Sequence, residues 1–455
     1  MRPIQIKRGL DIPIAGRPKP DIIEIPYAGP VAVYQETEGL KAKLTVAEGD
    51  AVQRGSALFH DKKVPDLHFC SPVAGTIKSI EYGPRRALYR VLIDPAMEPS
   101  AVDFNAHAAD QLPTLDRKTV LQKLLQSGLL SLIRQRPFSR IADPEVTPKS
   151  IFVNGMNTAP FTPDLNVAIH GEEAAFQAGL HLLTRLTDGA VHLCLAPPPP
   201  NASKALHEAD FVDIHYFDGP HPSGNTSVHI HHIDPMAPTD QIWAVNGVDL
   251  IRIGRLFLTG EYPNTQRITL AGPGVKEEAR AHYRVLLGTP LEALLEGRLL
   301  EGEQRIISGD VLSGQPVTID EHVRSGATAL TIVPEGREQH FLGWMAPGIK
   351  KLSASRAYLS GWFGHKRKWN LTTSLNGGYR AMVLTGLYDQ YLPMNIMVDY
   401  LVRAVLAHDT DEAIQLGILE TDPEDFALCS YVCPSKMDLY GVIKRGLEEI
   451  EEEGI

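Results

Sequence analysis

Four cysteines in 455 residues are too few for a disulfide framework, and a reducing compartment is the simple expectation. No run approaches the roughly eighteen apolar residues of a membrane helix, so the chain is not expected to cross a bilayer itself. The opening Met1-Arg2-Pro3-Ile4-Gln5-Ile6-Lys7-Arg8 has charge but no apolar stretch after it, so a secretory leader is not expected. Positive charge is in deficit: the formal net charge of −11 speaks against a nucleic-acid scaffold, which needs a basic face. Neither G-x-G-x-x-G nor G-x-x-x-x-G-K-[ST] occurs, so the two common phosphate cradles are missing.

What is present is ordinary globular composition, 43% hydrophobic and 22% charged, in a chain long enough for about three or four domains. Residues 26–100 read as short strands. The phrases Val46-Ala47-Glu48-Gly49-Asp50-Ala51-Val52-Gln53-Arg54-Gly55 and Ser71-Pro72-Val73-Ala74-Gly75-Thr76-Ile77 place glycine turns between them. They resemble the flattened barrel of biotinyl and lipoyl domains. In those carriers a hairpin lysine takes the prosthetic group, and Asp61-Lys62-Lys63 sits near that place. The connection through Val64-Pro65-Asp66 is longer than the usual one, and a purely structural barrel is the preferred reading.

Residues 95–115 look like a linker. Strand and helix then alternate: Ile151-Phe152-Val153 a strand, Glu172 to Leu186 a helix, Ala190 to Leu195 a strand, Ala202 to Ala209 a helix. That alternation argues for an α/β layer fold. Residues 256–315 read as a small α+β unit, with Thr289 as N-cap and Pro290 as first residue of a short helix. Residues 393–407 and 436–453 read as amphipathic helices, and Asp422-Pro423 as an N-cap followed by proline.

Cys429-Ser430-Tyr431-Val432-Cys433-Pro434 is the back half of C-x2-C-x2-C-x3-C-P, a run that supplies thiolates to a cubane cluster. The two missing front positions are Phe426 and Pro423. Two thiolates cannot hold the cluster.

In this order the pieces resemble the A-subunit family of the sodium-translocating NADH:quinone oxidoreductase. The resemblance covers nearly the whole chain. Its most specific phrases are Lys7-Arg8-Gly9-Leu10-Asp11-Ile12-Pro13-Ile14-Ala15-Gly16, Thr226-Ser227-Val228-His229-Ile230-His231 before Asp234-Pro235, Asn376-Gly377-Gly378-Tyr379-Arg380-Ala381-Met382-Val383, and Leu428 to Pro434. The resemblance implies a biotinyl/lipoyl-like barrel region (1–100), a Rossmann-like α/β domain (101–255) and a small β-grasp-like, SLBB-type domain (256–335). A connecting segment and C-terminal helical domain (336–455) complete it. It also implies a peripheral subunit on the cytoplasmic face of the bacterial inner membrane. Its partners would be the B, C, D, E and F subunits of the same complex, chiefly the membrane-embedded B subunit. The complex couples NADH oxidation and ubiquinone reduction to Na+ export, with flavins and iron–sulfur on other subunits. This chain would then hold no cofactor of its own and no independent active site, while supporting the step from ubisemiquinone to ubiquinol.

Two cofactor-bearing relatives sharpen this: the C subunit of the Rnf-type ferredoxin:NAD oxidoreductase and the flavin- and NADH-binding subunit of complex I. Taking Pro393 as the proline after a last ligand, the first cluster positions fall on Met382, Thr385, Tyr388 and Leu392. None is a thiolate. Against the flavin loop of the second relative stands Arg134-Gln135-Arg136-Pro137-Phe138-Ser139-Arg140, with no glycine. A second loop of that relative answers to residues 154–160, which hold no carboxylate. An Rnf C-type electron carrier and a cofactor-free assembly scaffold are the alternatives.

Four groups of side chains are candidates for function. Arg134, Arg136 and Arg140 with Phe138 either line a cleft for an anion or quinone head, or form a solvated loop with one anchoring ring. Lys366, Arg367 and Lys368, after His365 and before Trp369, either dock on a partner or lipid surface, or form a charged loop. His229 and His231, two apart, would share a face of a strand. They read as a structural pair, because a zinc site needs more ligands, and no metal is expected. Cys429 and Cys433 read as vestigial cluster positions, inert and buried.

Overall fold

Parallel strands covered on both faces need helices above and below them, and the second quarter of the chain onwards supplies both. The computed structural model describes every residue except 1, 27–28, 37–38, 201, 339–342, 344, 346, 350, 354–357, 364–366 and 455. Its largest sheet runs in the order Ile4–Gln5, Asp213–Asp218, Val191–Leu195, Ser150–Asn154, Ile242–Asn246, Ile133–Arg136, Arg140–Ile141. The first five strands are parallel and the last two form an antiparallel hairpin. Chain order reverses between Ser150–Asn154 and Ile242–Asn246. Their carboxyl ends, Asn154 and Asn246, therefore mark a topological switch point.

Side chains alternate between the two faces of this sheet. Ile151, Val153, Leu193 and Val245 join the helices Arg117–Ser127, Glu173–Leu183 and Gly247–Thr259 in one core. Phe152, Cys194, Phe217 and Ala244 join the helix Thr226–Ile233 and the C-terminal helices in another. The helix Arg117–Ser127 starts where Asp116 accepts from the Thr119 N–H and stops at Gly128, which has φ of +74°. Gly128 is constrained twice, since an added Cβ would also lie 2.2 Å from the His68 carbonyl oxygen.

The N-terminal barrel pairs Val31–Tyr34, Leu88–Pro95, Gly75–Tyr82 and Ala51–Val52 in one sheet and Ala42–Leu44, Ala57–Asp61 and His68–Cys70 in another. Between them lie Val31, Leu58, Phe59, Ile77, Val91 and Ile93. Lys62 and Lys63 are exposed on the connection between Ala57–Asp61 and His68–Cys70. The stretch expected to be a linker is anchored: Phe104 and Leu112 are buried in the core of the α/β domain.

The α+β unit is a six-stranded mixed sheet, Gln315–Val317, Gln304–Ser308, Ala329–Pro334, Thr265–Ala271, Ala281–Leu286 and Ile22–Glu24, closed by the helix Leu291–Leu295. Pro290 itself is the N-cap of that helix, one residue later than expected, because the Thr289 hydroxyl donates instead to the Leu286 carbonyl at 2.8 Å. The C-terminal unit packs Val398–Leu406, Thr410–Gln415, Ala427–Val432 and Leu439–Glu453 around Phe426 and Ile443.

Residues 4–25 stitch these units together. The strand Ile4–Gln5 extends the α/β sheet and Ile22–Glu24 extends the α+β sheet. Between them Gly9 donates to the Gln390 carbonyl, Leu10 to that of His221, and Ala15 to that of Trp369. Gly272 donates to the Gly16 carbonyl at 2.8 Å. Gly16 has φ of +99°, and a Cβ on it would lie 2.3 Å from Gly272, so this crossing requires glycine.

Candidate functional site

Ligands of open α/β sheets settle outside the carboxyl ends of the strands, beside the switch point. A cavity of about 370 Å³ lies there. The α/β domain contributes Arg134, Asn157, Thr162, His221 and Asn225, the α+β unit Asp310 and Arg324, the barrel Glu36, and the C-terminal unit Glu424. Four units thus meet at one polar chamber. Glu36, Arg134 and Gly326 also border a second, narrow chamber of about 80 Å³, whose walls include Val33, Phe69, Leu129, Leu132 and Tyr262. The two together make an amphipathic cleft, with a polar room opening onto an apolar slot.

Arg134 stands at the boundary. Its guanidinium makes no hydrogen bond or ion pair among the described residues; burial lowers its pKa, and the Glu36 carboxylate opposes that shift. Arg134 and Glu36 are solvent-accessible, and what they face is the cavity. Burial raises the Glu36 carboxyl, which is bonded to the Ser325 and Gly326 backbone. Arg324 is paired with Glu321 at 3.1 Å and lies 5.0 Å over the Tyr34 ring. Arg252, on the wall of the slot, is bonded to Ser325; Arg134 thus differs from both other arginines of the cleft in that none of its guanidinium nitrogens is engaged among the described residues, which suits an acceptor in the cavity.

The opposite wall is acidic. Burial pushes the Glu424 carboxyl up to about 8, helped by Asp422 and Asp425 and opposed by Arg136. His221 is driven down to about 4 by burial, against the pull of Asp310 and Asp11. Its backbone N–H donates to Asp11 at 2.9 Å, and its Nδ1 lies 3.1 Å from the Thr158 hydroxyl oxygen. Asp310 is held by the Leu312 N–H at 2.6 Å and the Ser313 hydroxyl at 2.7 Å. At neutral pH the chamber thus presents a neutral imidazole and a largely protonated Glu424 opposite two guanidiniums, of which Arg324 is paired with Glu321.

Of the sequence candidates, Arg134 alone lines this chamber; the other three of its group lie along the sheet-edge hairpin. Arg136 is buried against Asp422, which Ser139 also contacts. Arg140 grips Glu451 through Nε at 2.9 Å, and Phe138 packs on the C-terminal core. These three fasten the hairpin to the C-terminal unit. Lys366, with His365, lies outside the described residues. Arg367 and Lys368 are exposed, but Trp369 is buried: its backbone bonds to Pro13 and Ala15, and Arg367 stacks 4.5 Å over its ring.

His229 and His231 lie on the helix Thr226–Ile233 rather than on a strand. They do not share a face. His229 Nε2 is 3.0 Å from the Ser223 carbonyl, and burial drives its pKa down to about 3, whereas His231 Nδ1 lies 3.4 Å from Glu420. Cys429 and Cys433 are fully buried, and burial pushes the Cys429 thiol well above its ordinary range. Sequence reasoning did not single out Glu36, His221, Asp310 or Glu424, which come from four distant segments with no shared motif.

The comparisons with known proteins agree over the whole length. Residues 4–96 match the NqrA N-terminal barrel-sandwich hybrid domain, 115–262 the NqrA second alpha/beta domain, and 267–318 the NQRA C-terminal domain. A Klebsiella pneumoniae (strain 342) protein, named as the A subunit of Na(+)-translocating NADH-quinone reductase, is 43% identical over 99% of this chain and all of its own. Proteins of the same name from Pasteurella multocida (strain Pm70) and Tolumonas auensis are 41% and 40% identical over the same share.

Proposed function

The chain belongs to the A-subunit family of Na(+)-translocating NADH-quinone reductase, and from that premise we propose that it is the peripheral subunit through which quinone reaches the complex. It docks on the membrane-embedded B subunit, beside the C, D, E and F subunits, at the cytoplasmic face of the inner membrane. There it supports reduction of ubisemiquinone to ubiquinol. NADH, flavin and iron–sulfur chemistry belongs to the other subunits. No helix among the described residues is long and apolar enough to cross a membrane, which suits a docked subunit.

The observation that supports this reading best is Arg134 at the mouth of an apolar slot. A quinone has a polar ring bearing carbonyl acceptors and an apolar tail. A guanidinium with free donors suits the carbonyl, more so as negative charge grows on it during reduction. The protonated Glu424 and neutral His221 remove two charges that would otherwise compete in the chamber.

Docking has its own support. Tyr379 is 80% and Val383 60% exposed within one of the four most specific phrases of the family resemblance. With Leu384 beside them, they put three large apolar side chains in water within six residues, which suits an interaction surface. The test is the assembled complex treated with a photoreactive quinone. Cross-links to segments around Glu36 and Arg134 are expected. Labelling confined to the membrane subunits would sink the quinone part of this reading.

A further inference from the structure

On the side of the α/β sheet that faces the helix Thr226–Ile233, three ligand-type side chains converge from two neighbouring strands. His192 lies in Val191–Leu195, and Asp213 and His215 lie in Asp213–Asp218. His192 is in register with Asp213, and His215 with Cys194, so all three share a face. His192 Nδ1 is 3.2 Å from His215 Nε2 and 3.8 Å from the Asp213 carboxylate. The three ligand atoms all lie within 4.8 Å of one another.

We propose that His192, His215 and Asp213 form a site for a divalent transition-metal cation of the zinc class, with water completing the coordination. A tetrahedral zinc centre with bonds of roughly 2.0–2.2 Å has ligand–ligand edges of about 3.3–3.5 Å. The first two edges straddle that range. The third closes by rotation of the Asp213 side chain, which is 64% exposed and free to turn. Two imidazoles and one carboxylate select zinc, cobalt or nickel over sodium, magnesium or calcium, which take oxygen ligands.

The ligand nitrogens of the two imidazoles already face one another, and binding a metal displaces the single proton they share in that contact. The site has a structural use. Outside residues 213–216 no further strand is paired among the described residues, since Ile4–Gln5 reaches only Phe217 and Asp218. A metal across His192 and His215 would pin that edge to its neighbour. A groove lined by residues 207–210 and 212–216 leaves the open coordination position reachable from solvent.

The test uses the purified full chain, stripped with chelator and titrated with Co2+. Wild type is expected to bind one equivalent more than the double variant His192→Gln/His215→Gln. Visible ligand-field bands of low coordination number should accompany that equivalent, displaced by Zn2+, together with a rise in Tm that the double variant lacks. Asp213→Asn, at an exposed position that cannot unsettle the core, should weaken binding by at least about tenfold, the scale on which even outer metal partners matter. Equal stoichiometry in wild type and double variant means that other histidines take the cation, and overturns the proposal. So does unchanged affinity in Asp213→Asn, or the absence of the bands, either of which leaves a hydrogen-bonded histidine pair only.

Discussion

The Tyr388 hydroxyl lies 3.0 Å from the Cys433 sulfur, and the Cys429 sulfur lies 3.9 Å from the Tyr388 carbonyl oxygen. Tyr388 stands at one cluster position of the first emptied motif, and Cys429 and Cys433 at two of the second. Leu392 and Phe426, further positions from the two motifs, lie in the same core. Positions from both motifs are thus occupied by a tyrosine, a leucine and a phenylalanine packed with two thiols in one core. Thr385 is exposed, so the first motif is not buried as a unit. Pro423, at another emptied position of the second motif, has a backbone use instead: it follows the N-cap Asp422, whose capping box with Asp425 starts the short helix into Cys429.

That packing predicts a graded response. Tyr388→Phe should cost about 0.5–1.5 kcal/mol, the net value of one hydrogen bond, whereas Phe426→Ala should cost about 3–5 kcal/mol by opening a cavity. Denaturant midpoints measure both. Both thiols should be inert to a thiol reagent in the native chain, and rapid modification of either would contradict the burial.

The acidic wall predicts a pH dependence with a definite sign. Glu424 has a folded pKa of about 8 against an ordinary 4.5, so it contributes its full stability below 4.5 and loses it as pH rises towards 8. His221, driven down to about 4 from 6.5, acts the other way, and its contribution is lost as pH falls below about 6.5 towards 4. The two oppose each other between 4.5 and 6.5. Above 6.5 Glu424 acts without that opposition, so unfolding stability should decline from pH 6.5 to 8. Glu424→Gln, neutral at every pH, should flatten the decline. A slope unchanged in that variant would show that another group is responsible.

Much of the architecture can be read from periodicity and from the family phrases. Strands such as Ser150–Asn154 and Val191–Leu195 were expected within a residue or two. The phrase Lys7 to Gly16 proves to be the strap that crosses three units, which gives its two glycines a physical reason. Other features resist reading. Val228-His229-Ile230 fits a strand as well as a helix. The helix is settled by topology, because Asp213–Asp218 and Ile242–Asn246 lie parallel in one sheet and need a crossover between them. Trp369 looks like a surface aromatic among cations until Pro13 and Ala15 close over its backbone. The cleft and the histidine pair at 192 and 215 depend on contacts across domains or strands, which leave no spacing in the sequence.

Docking can be tested where apolar side chains face water. Tyr379→Ser with Val383→Asp should abolish recovery of this chain with the membrane subunits while leaving its Tm unchanged, since neither side chain belongs to a core. Charge reversal at Arg367 and Lys368 tests the alternative patch. If reversal there abolishes recovery and the Tyr379/Val383 variant does not, the docking face is the basic segment.

Arg134 gives the sharpest functional prediction, because its guanidinium makes no hydrogen bond or close ion pair among the described residues and feels only the field of Glu36 and more distant carboxylates. A hydrogen bond to a charged group is worth about 1.5–3 kcal/mol, so Arg134→Leu in the assembled complex should lower kcat/KM for quinone by roughly ten- to hundredfold. NADH oxidation with an artificial acceptor that bypasses quinone should be unchanged. Arg134→Lys keeps the charge but loses the planar fork, and should fall between the two. Arg136→Leu provides the contrast: removing one partner of a buried ion pair costs about 3–5 kcal/mol of stability, read from the denaturant midpoint. If Arg134→Leu instead destabilises the chain and leaves the kinetics for quinone untouched, Arg134 is a packing residue and the quinone must meet the complex elsewhere.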